Sequence, residues 1–352
     1  MGLEEFQVTS DEISGSLFIN ALAAEMSKES LAKTVAINAV TVNTELVGSP
    51  GKSIDFPRRA GVAFAAITEN ASASAVTPSY TTVTVTPTKY GANVVITNEA
   101  VEDSRFDVIE EVLDTLTRAS ALQKDAVIID ALLDRLTDIA TVAGSEDSTA
   151  FTLSVGNVIR VLEVTISGTT LAASTSYTVD HKLGVIHYAT TIASAGLVTY
   201  EYAQSLTMLQ SDTAGLLQGR DLLAAQAQIR ANDYEPDVVL MHPAQHADLL
   251  NEARFYDVSQ KGDAEVNKAG WVMRAFGMDI FVSTQIPDGN VVVVDSARGA
   301  KLVMKRALTV KFDDDITLDN RVVAATEMYA CSVIRAEAVC LIGGMQDEDG
   351  RS

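Results

Sequence analysis

The sequence is short of what most chemistry needs. Its 352 residues include two cysteines, four histidines and one tryptophan. Cys331 and Cys340 fall in the apolar run "MYACSVIRAEAVCLIGG", which is not metal-ligand spacing. They read as buried, reduced core thiols, in keeping with synthesis in a cytoplasm. There is no GxGxxG, no Walker loop and no GxSxG, so dinucleotide, P-loop and nucleophile-elbow chemistry have no foothold. No apolar run reaches the ~18 residues that a membrane helix needs. The opening "MGLEEFQVTS" has early acids and no apolar core, so it does not read as a secretory signal. Phe6 stands where a myristoylated chain needs Ser or Thr. Bases are scarce as well. The 26 Lys and Arg against 47 Asp and Glu leave a net charge of −21, which excludes gripping nucleic acid by phosphate neutralisation. Such a chain can still enclose DNA. Self-repulsion that keeps the protein dispersed accounts for the charge, with adaptation to high salt as the other reading.

What is present is a folding pattern. Hydrophobic residues make up 47%, and the length allows two or three domains with sizeable cores. Leu17, Ala21, Ala24 and Leu31 space an amphipathic N-terminal arm. Val35, Ile37, Val40 and Val42 look strand-like, and Gly48, Pro50 and Gly51 mark a turn. Between Gly61 and Ser79 the chain is small-residued and nearly uncharged, a loop whose length implies work outside its own domain. Val83 and Val85 then alternate with threonines, Pro87 and Gly91 interrupt, and Val94-Val95-Ile96 resumes. Together these predict a long two-stranded excursion from about Asn43 to Thr97.

A helix is expected next, with Ser104 as its N-cap and Asp107 three residues on. Ile109, Val112, Leu113, Leu116 and Ala119 share a face continued by Leu122, Ala126, Ile129, Leu133 and Leu136. From Asp107 to Leu136 it would run about 45 Å at ~1.5 Å per residue. From Thr141 to Ala203 the composition turns to Ser, Thr, Gly and Val, predicting a small all-β module of five or six strands. Its turns fall at Ser167-Gly168, Lys182-Leu183-Gly184 and Ala195-Gly196. A helix over Ala214 to Asn232, a buried strand at Asp237 to Met241 and a helix opening at Pro243 follow. Two strands about the Pro287-Asp288-Gly289 turn and three terminal strands complete the pattern. The tail "MQDEDGRS" reads as disordered.

Candidate sites are few and weak. His242 and His246 lie four apart and could share a metal on one helical face, but no glutamate accompanies them. His181 and His187 flank a predicted hairpin turn. "FDDDITLDN", Phe312 to Asn320, clusters four acids without the central glycine and distal glutamate of an EF-hand, so it reads as a solvated turn. Trp271 reads as a core or interface anchor. No catalytic, cofactor-binding or metal-binding residue is assigned, no cofactor is expected, and the reading is of a protein that is not an enzyme.

One stretch is distinctive without being reactive: "KYGANVVITNEAVEDS", Lys89 to Ser104. With the excursion before it and the long helix after it, it resembles major capsid proteins of tailed phages of the Hong Kong 97 type. There the corresponding stretch reads like "p.kyg..v.iTnEaleDS.fdv", closing an extended loop and opening a spine helix. "ITEN" at Ile67 to Asn70 sits where members carry an acid in that loop. The resemblance implies an α+β Hong Kong 97-like fold with these parts: an N-terminal arm (1–43), an extended β-loop (44–97), a peripheral domain with spine helix (98–140) and terminal strands (301–346), an axial domain (206–300) and a disordered tail (347–352). Residues 141–205 depart from it as an inserted all-β domain. It further implies self-assembly through loop, axial and peripheral domains into hexamers and pentamers of an icosahedral shell. That shell would hold double-stranded DNA without sequence-specific binding, form in host cytoplasm and reside in the virion. Portal, scaffold and a decoration protein would be partners; no membrane would be. Some members join a loop lysine to a neighbour's asparagine in an isopeptide bond. Lys52 and Asn320 are the conceivable pair here, with no motif fixing either. Only about 40 residues precede the loop, so the expectation is a separate scaffold. The competing readings are an encapsulin-like nanocompartment shell and, more distantly, an enzyme built on His242 and His246.

Overall fold

The computed structural model describes residues 25–30, 34–59, 66, 67, 72, 77, 79–97, 99, 108–142, 150–171, 176–190, 195–210, 216–251, 274–315 and 320–344. The expected Ser104 cap, most of the Gly61–Ser79 loop, Trp271 and the tail lie outside them. Residues 25–30 are helical, and a 3-10 turn spans Ala36–Ala39. The strand expected through Val35 and Ile37 is therefore confined to β1 (Thr41–Asn43). The reason is tertiary: the carboxylate of Asp125 accepts the N–H groups of Ala36 (2.7 Å) and Val35 (3.3 Å), which fixes the turn.

β2 (Ile54–Arg59) and β3 (Tyr80–Val85) pair antiparallel as a two-stranded ribbon. Pro57 is tolerated because a ribbon strand has a free edge. β4 (Thr88–Thr97) leaves the ribbon and runs along a later strand, so the expected excursion is only partly a structure of its own. α1 (Val108–Leu133) is 26 residues without Gly or Pro, about 39 Å at ~1.5 Å per residue, with Glu110 and Glu111 in its first turn where the macrodipole favours acids. It ends earlier than the periodicity predicts. Asp134 takes the left-handed region (φ 46°), and Leu136 already belongs to β5 (Arg135–Val142).

Six strands follow: β6 (Ala150–Thr152), β7 (Val158–Ile166), β8 (Thr169–Thr170), β9 (Tyr177–Asp180), β10 (Val185–Tyr188) and β11 (Gly196–Ala203). With β5 they make a four-stranded sheet, β5-β11-β7-β8, and a three-stranded one, β6-β10-β9. Ser167 and Gly168 both have positive φ, as a two-residue turn of primed type requires between β7 and β8. Leu153, Val158, Val164, Tyr177, Ile186, Tyr188, Val198 and Tyr200 form this module's own core. Within it His181 is buried and donates from Nδ1 to the Val158 carbonyl (2.8 Å). The module begins at Arg135, six residues before the composition changes.

Its entry and exit are tied together in a neck. Ser205 donates its N–H and hydroxyl to the Asp134 carboxylate, and Gln204 N–H donates to the Asp134 carbonyl (3.2 Å). Ala203 N–H donates to Asn157 O (2.9 Å), while the Asn157 side-chain amide donates to Leu206 O (3.3 Å).

The chain then builds β12 (Thr207–Gln210), α2 (Gly219–Arg230), β13 (Val238–Met241), α3 (Pro243–Asn251), β14 (Arg274–Ala275), β15 (Met278–Val282) and β16 (Val291–Val294). α2 starts later than expected because the Asp221 carboxylate accepts Gln218 N–H (3.1 Å) and sets the cap there. β17 (Ala300–Asp315), β18 (Asn320–Val333) and β19 (Val339–Gly343) end the described chain. Two larger sheets result, β1-β17-β18-β4 and β12-β19-β16-β13-β15-β14. In the second, "VVLM", "VVVV" and "VCLIG" are buried at every position. Such runs mark strands covered on both faces. Val292 and Val294 face one core, with α1's Ile128, Ile129, Leu132 and Leu133; Val291 and Val293 face another, with α2's Leu222, Ala225 and Ile229. Those four α1 residues are at most 1% exposed, a contribution of about 2 kcal/mol each.

Candidate assembly surfaces

The residues that sequence patterns singled out for chemistry are placed as follows. His242 Nδ1 accepts Ala244 N–H (3.3 Å) and lies 3.5 Å from Asp288 Oδ1. His246 meets His242 through the backbone, its N–H donating to the His242 carbonyl (3.1 Å). Among the described residues no three His, Cys, Asp or Glu side chains gather as a metal site would require, and no helix is long and apolar enough to cross a membrane. Burial pushes the thiols of Cys331 and Cys340 up to about 12, and both are free. Lys52 is exposed just before β2, while Asn320 opens β18 at the far end of the β17–β18 hairpin. One subunit does not bring them together.

The stretch Lys89–Gly91 has a packing role. Tyr90 stacks on Tyr329 at 4.7 Å between ring centroids. Gly91 faces β18 so closely that a Cβ there would stand 2.8 Å from Ala325 O and 2.9 Å from Thr326 Cγ2. Beneath the tyrosines lies a buried polar cluster that no local pattern announces. Lys124 Nζ is 2.7 Å from Glu327 Oε2 and donates to the hydroxyls of Ser30 and Ser120, each at 2.7 Å. Ser120 in turn donates to Glu327 Oε1 at 3.0 Å. Both side chains are almost wholly out of water, and each meets the other and a serine hydroxyl there, the arrangement a buried ion pair needs to offset its desolvation. Burial, with Glu327 nearby, drives the Tyr329 phenol far above its ordinary value. This cluster locks the N-terminal segment, α1 and β18 into one block.

Against that block stands the β2–β3 ribbon, which pairs with no other strand among the described residues. Its apolar anchor is at the base, where Phe56 and Val85 join Leu46, Val303 and Ile334. The Arg58–Glu337 ion pair (2.8 Å) and Lys301, 4.7 Å over the Phe56 ring, add to the anchor. Tyr80, at the other end, is 59% exposed. An isolated two-stranded ribbon is marginal in water, so this one is rigid only where it is held. Exposed apolar side chains also mark the module's outer sheet face, at Ile139, Leu162 and Leu197.

A family model described as "Phage capsid protein" matches residues 79–342, three quarters of the chain. The chain belongs to that family. A second, described as "Phage capsid family", matches residues 19–132. Curated proteins offer no sequence match. The capsid protein's fold is similar to that of a chain from Mycobacterium phage Che8, at 15% identity, TM-score 0.59, covering 89% of this chain and 92% of that one. It is also similar to the capsid of the cyanophage P-SCSP1u, at 13% identity, TM-score 0.56, covering 87% and 86%. The virus-like particle from Pyrococcus furiosus is a third, at 10% identity, TM-score 0.51, covering 92% and 99%. At such identities the likeness is of fold: the mixed α and β architecture of phage capsid structures.

Proposed function

We propose that this capsid protein is the Hong Kong 97-type major shell subunit of a tailed virus, closing as hexamers and pentamers into an icosahedral particle around double-stranded DNA. The β2–β3 ribbon carries the reading, because among the described residues it pairs with no further strand and leaves Tyr80 exposed at its far end. A neighbouring subunit supplies the missing area, and identical subunits with such an overlap close into rings. In this reading residues 44–97 are the extended loop, 98–140 and 301–346 the peripheral domain, 206–300 the axial domain and 141–205 an inserted domain. Residues 1–43 are the arm. Assembly takes place in host cytoplasm, with portal and scaffold as partners. The net charge of −21 supports a wall that encloses DNA without gripping it. A nanocompartment shell has less support, since both family models describe phage capsid proteins.

The test is negative-stain microscopy of the full chain beside a deletion of Ala65–Thr77. Closed shells from the first, and folded subunits without shells from the second, are expected. Equally stable shells from the deletion would remove the ribbon's role, and a parent chain that stays monomeric at high concentration would remove the reading itself.

A further inference from the structure

A cleft of about 430 Å³ opens beside the ribbon's base, with Phe56, Ile334 and Tyr234 in its walls and Arg298, Lys301 and Arg335 among its lining residues. None of the three cations has an ion-pair partner among the described residues. The nearby acids are engaged elsewhere. Glu337 holds Arg58, and the Asp295 carboxylate accepts the N–H groups of Glu235 (3.3 Å), Ala297 (3.1 Å) and Arg298 (3.1 Å). In a chain of net charge −21, a concave site lined by three cations with no ion pair among the described residues is out of keeping with the rest.

The complementary charge lies at the other end of the same hairpin. Lys301 is the second residue of β17; Asp313, Asp314 and Asp315 end it, and Asp319 follows in the sequence. Phe312 to Asn320 holds four carboxylates and no base, with Lys311 and Arg321 flanking it. Lys301 and Asp313 are about 40 Å apart at ~3.3 Å per residue, on a strand paired with β18 along its length. No chain can fold its own tip into its own cleft.

We propose that the cleft receives the acidic β17–β18 tip of a second copy of this chain, a head-to-tail contact between subunits. This rests on the shell reading and gives it a specific electrostatic seam. A heterologous contact of that kind generates rings where its rotation closes, and the charge pairing sets its register.

Two experiments on the full chain decide it. In a variant carrying Ala297→Cys and Asp313→Cys, oxidation should give a ladder beyond dimer on a non-reducing gel, absent from either single variant. In the second, Arg298→Glu with Arg335→Glu, or Asp313→Lys with Asp315→Lys, should each lower the assembled fraction about tenfold. All four changes together should restore it, with thermal unfolding checking that every variant folds. Normal assembly of both reversed variants, or a monomer-only gel, overturns the contact. So does a cleft whose reversal abolishes retention of a DNA duplex while no ladder forms, which would assign it to nucleic acid. A parent chain that forms no shells sinks the shell reading separately, and the ladder still decides the contact.

Discussion

Lys124 and Glu327 are the side chains whose separate loss should be felt most. Each is the other's only ionic partner among the described residues, and both are almost fully buried. Glu327→Gln leaves an ammonium in a dry site, and a loss of about 3 kcal/mol is expected from urea unfolding. Lys124→Met with Glu327→Met should lose less than either single change, since no orphan charge remains; a larger loss would contradict this account. Cys331 and Cys340 should be inert. With thiols pushed up to about 12, only about one in ten thousand is thiolate at pH 8, so iodoacetamide should label them at the rate of unfolding. His181 gives a pH dependence. Burial lowers its folded-state value below the 6.5 of the unfolded chain. The unfolded chain therefore takes up the proton first. The contribution is full above pH 6.5 and is lost as pH falls toward the folded-state value. Melting curves between pH 7.5 and 5.5 should slope downward with acid in the parent and be flatter in His181→Gln.

At the level of elements, Gly91→Val tests why the Lys89–Gly91 pattern exists. A Cβ 2.8 Å from Ala325 O forces β4 away from β18, at about 2 kcal/mol by denaturant unfolding. Much of the architecture was legible where the cause is local. The apolar face of α1, the Ser167-Gly168 turn and the all-buried valine runs each follow from periodicity or turn chemistry. Where partners are distant in sequence, reading failed. The Ala36–Ala39 turn depends on Asp125, and β4 leaves its expected ribbon because β18 supplies the pairing. Leu136 continues the helical period, yet Asp134 and its bonds to Ser205 stop the helix first. The candidate surfaces show the same division. The ribbon's second strand was visible from Val83 and Val85 alternating with threonines, whereas Arg335 is brought beside Arg298 and Lys301 from a distant segment that only the fold assembles.

For the whole molecule, removing the module is the informative operation. Replacing residues 135–203 with a short Gly/Ser linker should leave both large sheets formed. It also takes Ile159 and Ala203 from the main core, so a loss of about 3 kcal/mol on urea unfolding is expected. Failure to fold would mean that the sheets depend on the module. The neck has a mechanical consequence. β5 and β11 are antiparallel, and Arg135 pairs with Ala203 at the end where the chain enters and leaves. Tension that draws Asp134 and Ser205 apart loads these hydrogen bonds one at a time, like a zipper, rather than all together in shear. The module therefore yields softly when its own subunit is stretched, and in the proposed shell it could add stiffness only through sideways contact with its neighbours.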